Sequence, residues 1–447
     1  MTYFHEENPM CLKIESINMR EIGDVTAFRI TKLYLEMRIM KFTEMITELN
    51  THGQEQVAER LQALSGSQQE KLASQVSKID WSVVESIANK ESETGEKSVE
   101  PLTAVEQKDI ETNKDKYSKA GLDAIKAGKV AAVLLAGGQG TRLGLDKPKG
   151  TLNVGVDKEL YLFEQLIKNI MDVVNQAGVW VPLYIMTSEK NNEDTIAFFE
   201  EHNYFGYDKS YVRFFVQNMV PSVDYDGKLY MEAEDSLSMS PNGNGGWFLS
   251  MLSAGLEQDL RDKKIEWINV FAVDNILQRI ADPAFVGATI LSGCECGSKV
   301  VRKVAPDEKV GVMCRVNGHP SIIEYYEMSD ELASMRREDG ELVYGFGVIL
   351  NYLFRLDKLF EIADRNLPLH IVEKKIPYIN DNNELIKPDA PNGYKFETLV
   401  LDMVEMMDDC LPYEVVREHE FAPIKNKTGQ DSLESARELL KVNGIEF

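Results

Sequence analysis

The stretch from Ala131 to Gly150, AAVLLAGGQGTRLGLDKPKG, constrains the fold of this chain more than any other. Lys129 to Leu135 closes on an apolar run of the kind that forms a parallel strand covered on both faces. The run stops at Gly137. Glycines 137, 138, 140 and 144 permit positive φ and let backbone N–H groups approach a ligand with no Cβ in the way, as in loops that cradle phosphates and bases. Arg142, Lys147 and Lys149 follow, and Pro148 stiffens the segment that carries Lys149. Cations gathered after a buried strand are costly unless an anion neutralises them, so the stretch is expected to hold a nucleoside triphosphate.

Two common phosphate loops are tested by their offsets, and both fail. A dinucleotide fingerprint starting at Gly138 and Gly140 needs a glycine where Leu143 stands, and no glycine here is followed five residues later by Gly-Lys-Ser/Thr. The offsets therefore argue against an NAD enzyme and a P-loop kinase. The formal net charge of −24 argues against general affinity for nucleic acid or an anionic membrane. A phosphate site here must be a local positive pocket in an acidic body, which suits a small anionic substrate. Five cysteines, at 11, 294, 296, 314 and 410, form no C-x-x-C pair and read as reduced thiols of a cytoplasmic protein. Cys294 and Cys296, with no histidine at metal spacing, are read as structural thiols. Neither a membrane span nor a secretory signal is indicated.

Residues 1–39 lack periodicity, whereas Met40 opens a helical stripe of Phe42, Met45, Ile46 and Leu49. Met40 is thus expected to be the native start and residues 1–39 a non-native or disordered extension. Helical patterns continue to Ile79, and the polar stretch 89–104 reads as the linker that ends a small helical appendage over 40–104. From 105 to 440 strand-like runs alternate with helical patterns: Val130–Leu135, helix 159–177, Val181–Met186, helix 191–201, Val212–Val216, helix 247–259 and Trp267–Val273. That alternation predicts an α/β domain with a mainly parallel, Rossmann-like sheet. Residues 297–360 add further strands, including Gly311–Arg315 and Gly347–Phe354. In such sheets ligands bind beyond the carboxyl ends of the strands, so the loops after Leu135, Met186, Val216 and Val273 are where chemistry is expected.

Leu135 to Gly150 reads L-x-G-G-x-G-T-R-L-G-x(3)-P-K-G and resembles the signature of the sugar-nucleotide pyrophosphorylases, most closely the eukaryotic-type UDP-N-acetylglucosamine pyrophosphorylases. The resemblance continues in order through QNMVP from Gln217, PNGNGG from Pro241, FAVDNILQRIADP from Phe271, KKIPYI at 374–379, IKPDAPNG at 386–393 and YEVVREHEFAPIKN at 413–426. It implies a nucleotidyltransferase fold of the GT-A-like kind and the reaction of UTP with a sugar 1-phosphate to give a UDP-sugar and pyrophosphate, with magnesium or manganese as cofactor. UDP-N-acetylglucosamine, UDP-glucose or UDP-galactose is the expected product, and the protein is expected to act as a monomer without nucleic-acid or membrane partners. A UDP-sugar glycosyltransferase and a non-catalytic UTP or UDP-sugar sensor are the alternatives. The first is disfavoured by the absence of D-x-D at Asp274-Asn275-Ile276, the second by the presence of every cation the reaction needs.

Residue by residue, the resemblance assigns Leu135, Ala136, Gly137, Gly138, Lys149, Gln217, Gly243, Asp274 and Lys395 to the nucleotide, Gln217 and Gly243 reading the uracil. Asn244, Glu324, Tyr325 and Lys425 fall to the sugar phosphate, Arg142, Lys149 and Lys425 to catalysis, and Asp274 to the metal. On the residues alone, Asp274 is equally readable as a helix cap, and Gln217 as a polar strand end. The chain departs from the family at Asn242, which replaces an aspartate, at Val348, which replaces an asparagine that reaches the sugar, and at Leu399 and Leu401, which replace two phenylalanines. These departures leave the sugar open. Since the chain ends at Phe447, soon after Lys425, the family's C-terminal β domain is expected to be missing.

Overall fold

The structure, a computed structural model, describes residues 40–89, 98–365, 367–380 and 382–447. The expected extension, residues 1–39, and the polar centre of the linker, residues 90–97, lie outside the described residues. The chain forms two compact units. One takes its described residues from Met1–Asn89 with Pro221–Met239 and Glu373–Lys395; the other is Lys90–Val220, Ser240–Val372 and Phe396–Phe447. The helical N-terminal region is therefore completed by two later stretches of chain. Short amphipathic helices such as Glu55–Ala63 and Gly66–Val76 cannot bury their apolar stripes alone. Buried Gln54 shows the tie: its side chain donates to the Gly227 carbonyl at 2.9 Å and accepts from the Leu229 N–H at 2.8 Å.

The second unit is built on a ten-stranded sheet. In chain order its strands are β1 (Val99–Pro101), β2 (Val130–Leu135), β3 (Leu183–Thr187), β4 (Val212–Val216), β5 (Trp267–Ala272), β6 (Cys296–Arg302), β7 (Val312–Val316), β8 (His319–Ile323), β9 (Phe346–Arg355) and β10 (Cys410–Glu414). The spatial order is β1-β7-β9-β5-β2-β3-β4, with β8 on β7, β6 on β9 and β10 on β6. Strands β5, β2, β3 and β4 run parallel, as the alternating pattern predicted, and β6 and β10 are parallel to each other. Strand β9 is antiparallel to both β5 and β6, so the 297–360 extension joins the same sheet as its antiparallel flank.

All six residues of β2 are buried. Because successive side chains point to opposite faces, Ala132 and Leu134 enter one core with Leu166 and Ile170, while Ala131 and Val133 enter another with Phe248 and Met251. That is why the run reads as continuously apolar. Two local differences from the sequence expectation have plain causes. Residues 99–101, expected in the linker, form β1 on β7, where Pro101 is tolerated because the strand is an edge. The expected helix 247–259 breaks into Trp247–Ser253 and Glu257–Asp262 at Gly255, which adopts φ +75°.

Candidate active site

The chain leaves β2, crosses to β3 and β4 on one side, then returns to lay β5 against the other side of β2. The space beyond the carboxyl ends of β2 and β5 is thus the switch point of the sheet, where loops diverge and leave a crevice. Residues 136–150 leave β2 there. Buried Asn191, after β3, donates to the carbonyls of Ala136 at 3.0 Å and Gly138 at 3.4 Å and accepts from Ser188 N–H at 2.7 Å. Lys149 N–H returns to Gly138 O at 3.3 Å, closing the loop on itself. Of the four glycines, Gly144 alone takes a positive φ. Gly137 is needed for contact: a Cβ on it would lie 3.0 Å from Gln217 Oε1.

On the β5 side, Asp274 follows the strand in a turn rather than at a helix start; the next helix, Pro283–Ser292, is capped by Asp282. The cap reading of Asp274 is therefore removed. Its backbone carbonyl accepts from Ile424 N–H at 2.9 Å, and Asn275 donates to Glu420 O at 2.7 Å and accepts from Ala422 N–H at 2.8 Å. These bonds lock the segment before Lys425 to the end of β5. Behind them Lys299, fully buried, joins Glu420 at 2.5 Å, Arg279 O at 3.0 Å and Asp282 at 3.5 Å. The carboxylates satisfy a charge that could not otherwise stay buried.

Lys149 stands where the two sides meet. Burial pushes its ammonium below the ordinary lysine value, and Lys425 and Arg142 push the same way against the pull of Asp274. Among the described residues Arg142, Lys147 and Lys149 form no ion pair with a carboxylate, and Lys425 reaches one, Asp431, at 3.3 Å. In a chain with 73 acidic residues against 49 basic ones, three cations of one loop thus stand without carboxylates at the sheet switch point.

Gln217, buried at the end of β4, donates to Gly243 O at 2.6 Å and Asn242 Oδ1 at 3.2 Å, leaving Oε1 as its acceptor. Gly243 has φ +85° and ψ 164°, a region open essentially to glycine alone, and a Cβ there would run into the Thr398 carbonyl. Asn244 Oδ1 accepts from Val400 N–H at 2.9 Å, so Asn244 is held by the turn at 398–402. Asn242, in the aspartate's place, supplies an acceptor to Gln217 through its amide oxygen.

The antiparallel flank brings Glu324 to the other end of the site. A Cβ on Gly311 would meet Glu324 Oε1 at 3.4 Å and Val348 Cγ2 at 3.5 Å, so β7, β8 and β9 converge around that glycine. Burial raises the Glu324 carboxyl above its usual range and Glu327 adds to this, while Lys425 draws it down. Tyr325 is exposed and stands edge-on to Tyr326 with ring centres 5.2 Å apart. Lys395 belongs to the other unit, in the strand Gly393–Glu397 that pairs with Val223–Asp224. The motif argument left out Asn191 and Lys299 and gave no role to Asn275 and Glu420, which stand inside FAVDNILQRIADP and YEVVREHEFAPIKN. Nothing in their local sequence marks them, because their partners are distant in the chain.

The donor set for a metal is Asp274 alone; among the described residues no three His, Cys, Asp or Glu side chains gather as a metal site. One carboxylate fits a hard cation that takes its remaining ligands from phosphate oxygens and water.

A mixed α/β sheet with parallel central strands, a cationic glycine loop at its switch point and a glycine turn beside it is the arrangement of the nucleotidyltransferase class. The family model described as UTP–glucose-1-phosphate uridylyltransferase matches residues 67–444, and the chain belongs to that family. Human UDP-N-acetylhexosamine pyrophosphorylase-like protein 1 is 40% identical over 343 residues, covering 74% of this chain and 68% of the relative. The mouse protein of that name is covered over 64% of its length, so the chain spans about two thirds of these relatives. UDP-N-acetylglucosamine pyrophosphorylase of Saccharomyces cerevisiae is 40% identical over 338 residues, 72% of this chain and 70% of the relative. The crystal structure of the uridine diphosphate N-acetylglucosamine pyrophosphorylase from Trypanosoma brucei, in complex with inhibitor, superimposes with a TM-score of 0.76 at 27% identity, over 90% of this chain and 84% of that one.

Proposed function

We propose that this chain is a UTP:sugar-1-phosphate uridylyltransferase. The observation that carries the reading is the cluster of Arg142, Lys147 and Lys149 without ion-paired carboxylates beside Lys425, in a chain of net charge −24. The attacking oxygen of the sugar phosphate is already anionic and needs no general base. It bonds to the α-phosphorus of UTP as the α–β bridging oxygen departs with its electron pair, and pyrophosphate leaves. Catalysis then consists of holding two polyanions in line and stabilising the charge that moves onto the leaving group. Lys149 serves the α-phosphate, Arg142 the β and γ phosphates, and Lys425 the attacking phosphate. Gln217 Oε1 accepts from the uracil N3–H beside Gly243, and Leu135, Ala136, Gly137 and Gly138 border the base. Asn244, Glu324 and Tyr325 face the sugar hydroxyls. Asp274 is the residue that would hold magnesium or manganese, which supplies positive charge to phosphate oxygens when bound.

The names of the relatives support an N-acetylhexosamine 1-phosphate as the preferred partner. Val348 beside Glu324 sets the discrimination against glucose and galactose phosphates. The free thiols Cys294, Cys296, Cys314 and Cys410 support a reducing, cytoplasmic setting, and no helix among the described residues is long and apolar enough to cross a membrane. The test is pyrophosphate release with UTP, magnesium and a panel of glucose, galactose, N-acetylglucosamine and N-acetylgalactosamine 1-phosphates. Release with at least one member is expected; none with any member would refute the reading.

A further inference from the structure

Lys427 lies two residues beyond Lys425, in a loop closed by Asp431, whose carbonyl accepts from Lys425 N–H at 2.7 Å and Asn426 N–H at 3.0 Å. That closure sends Lys427 back over the glycine loop. Its Nζ stands 2.7 Å, and its Cε 3.2 Å, from the point a Cβ on Gly144 would occupy. Gly144, at φ +76°, directly follows the turn Thr141–Leu143 that presents Arg142. Only a residue without a Cβ leaves room for an ammonium at that position.

Among the described residues Lys427 has neither an ion pair nor a hydrogen-bond partner for its ammonium. Some lysines elsewhere hold carboxylates, as Lys119 does Asp123, Lys168 Glu164 and Lys358 Glu295, so what singles out Lys427 is its position against Gly144. Lys425, two residues away, has Asp431. Lys427 rests against a loop that already carries Arg142, Lys147 and Lys149, and a multiply charged anion there would gain from all of these charges together. The placement is selective as well. Lys427 meets the loop at Gly144, on the Arg142 side, whereas Lys425 is within electrostatic reach of Lys149 and of Glu324.

We propose that Lys427 is a phosphate ligand that, together with Arg142 across Gly144, takes the two terminal phosphates of UTP and the pyrophosphate they become. This rests on the uridylyltransferase reading. It divides the labour of two lysines on one short loop: Lys425 for the incoming sugar phosphate, Lys427 for the leaving group. Charge accumulates on the pyrophosphate as the α–β bridge breaks, so a cation there stabilises the forward transition state and the bound pyrophosphate of the reverse reaction alike.

The experiment compares the wild type, Lys427→Gln and Lys427→Arg in both directions at fixed ionic strength, using the sugar phosphate the wild type accepts best. Lys427→Gln is expected to raise KM for pyrophosphate and for UTP about fivefold to tenfold, with KM for the sugar phosphate and for the UDP-sugar within twofold of wild type. Lys427→Arg is expected to restore pyrophosphate KM to within threefold. Because the side chain is exposed, an unchanged melting temperature checks that folding is intact. Pyrophosphate KM within twofold of wild type in Lys427→Gln overturns the proposal, and so does an equal rise in sugar-phosphate KM, which would place Lys427 with Lys425. A wild type that releases no pyrophosphate with any sugar phosphate overturns the underlying reading instead.

Discussion

The parallel half of the sheet and its antiparallel flank contribute to the site in different ways. On the parallel side, β2 and β5 end at the switch point, and a contiguous loop with a turn and a backbone-linked segment supplies several charges at once. On the antiparallel side, single side chains from separate strands, Glu324 and Val348, converge on Gly311. The first construction is suited to an invariant part of a substrate, a triphosphate, because backbone and clustered cations do not distinguish what lies beyond it. The second is suited to a variable part, since one substitution changes one contact. Reaction should therefore be lost by changes on the parallel side and redirected by changes on the flank.

The largest effect expected is at Lys149. Removing one charge-stabilising group from a transition state costs about 3 kcal/mol, on the order of a hundredfold in kcat/KM. Lys149→Ala should show that loss for every sugar phosphate in the panel, measured as pyrophosphate release. Turnover within threefold of wild type, or a loss confined to one sugar, would break the division between the two sides.

Next comes Asn275, which ties the end of β5 to the segment leading to Lys425 through Glu420 O and Ala422 N–H. Asn275→Ala leaves both backbone groups buried without partners, at a cost of roughly 1–3 kcal/mol in stability. A fall in denaturation midpoint together with a raised KM for the sugar phosphate is expected. Loss of stability with unaltered kinetic constants would show that Lys425 keeps its place without this tie.

Val348 sharpens the comparison from the other side. Val348→Asn restores a hydrogen-bonding side chain beside Glu324 and should shift the ratio of kcat/KM between N-acetylglucosamine and glucose 1-phosphates by about tenfold, the scale for one polar contact in a specificity pocket. KM for UTP should not move. A change in UTP KM of the same size would mean that the flank and the loop are not separable.

Legibility follows the same line. Residues 135–150 could be read directly because strand, glycines and cations are contiguous, and local sequence determines a local loop. The parallel order was legible because continuous burial on both faces leaves a continuous apolar run, as in β2. Gln217 and Gly243 meet through tertiary packing, so spacing alone left Gln217 as a polar strand end and only resemblance assigned it. The pairing of Lys299 with Glu420 was not legible, since it spans 121 residues, Lys299 stands in no motif, and the motif that contains Glu420 says nothing of its partner. Strand β1 was hidden by Pro101, which reads as a linker signal unless the strand is known to be an edge.

The smallest effect tests the turn that both sides share. Asp402, buried, accepts from Leu399 N–H at 2.9 Å and holds His370 Nε2 at 2.9 Å, and the same turn supports Asn244 through Val400 N–H. The hydrogen bond to Asp402, its charge, and those of Glu327 and Glu397 raise His370 above its ordinary 6.5, against burial. A group whose folded value is raised contributes stability that is fully present below the unfolded value and is lost as pH climbs through the folded one. His370→Gln should therefore lower the melting temperature most near pH 6 and progressively less at alkaline pH. The histidine is 41% exposed, so solvent screening keeps the effect below about 1 kcal/mol. A penalty independent of pH would mean that the imidazole packs against the turn as a neutral ring, and that its charge does not brace the turn that holds Asn244.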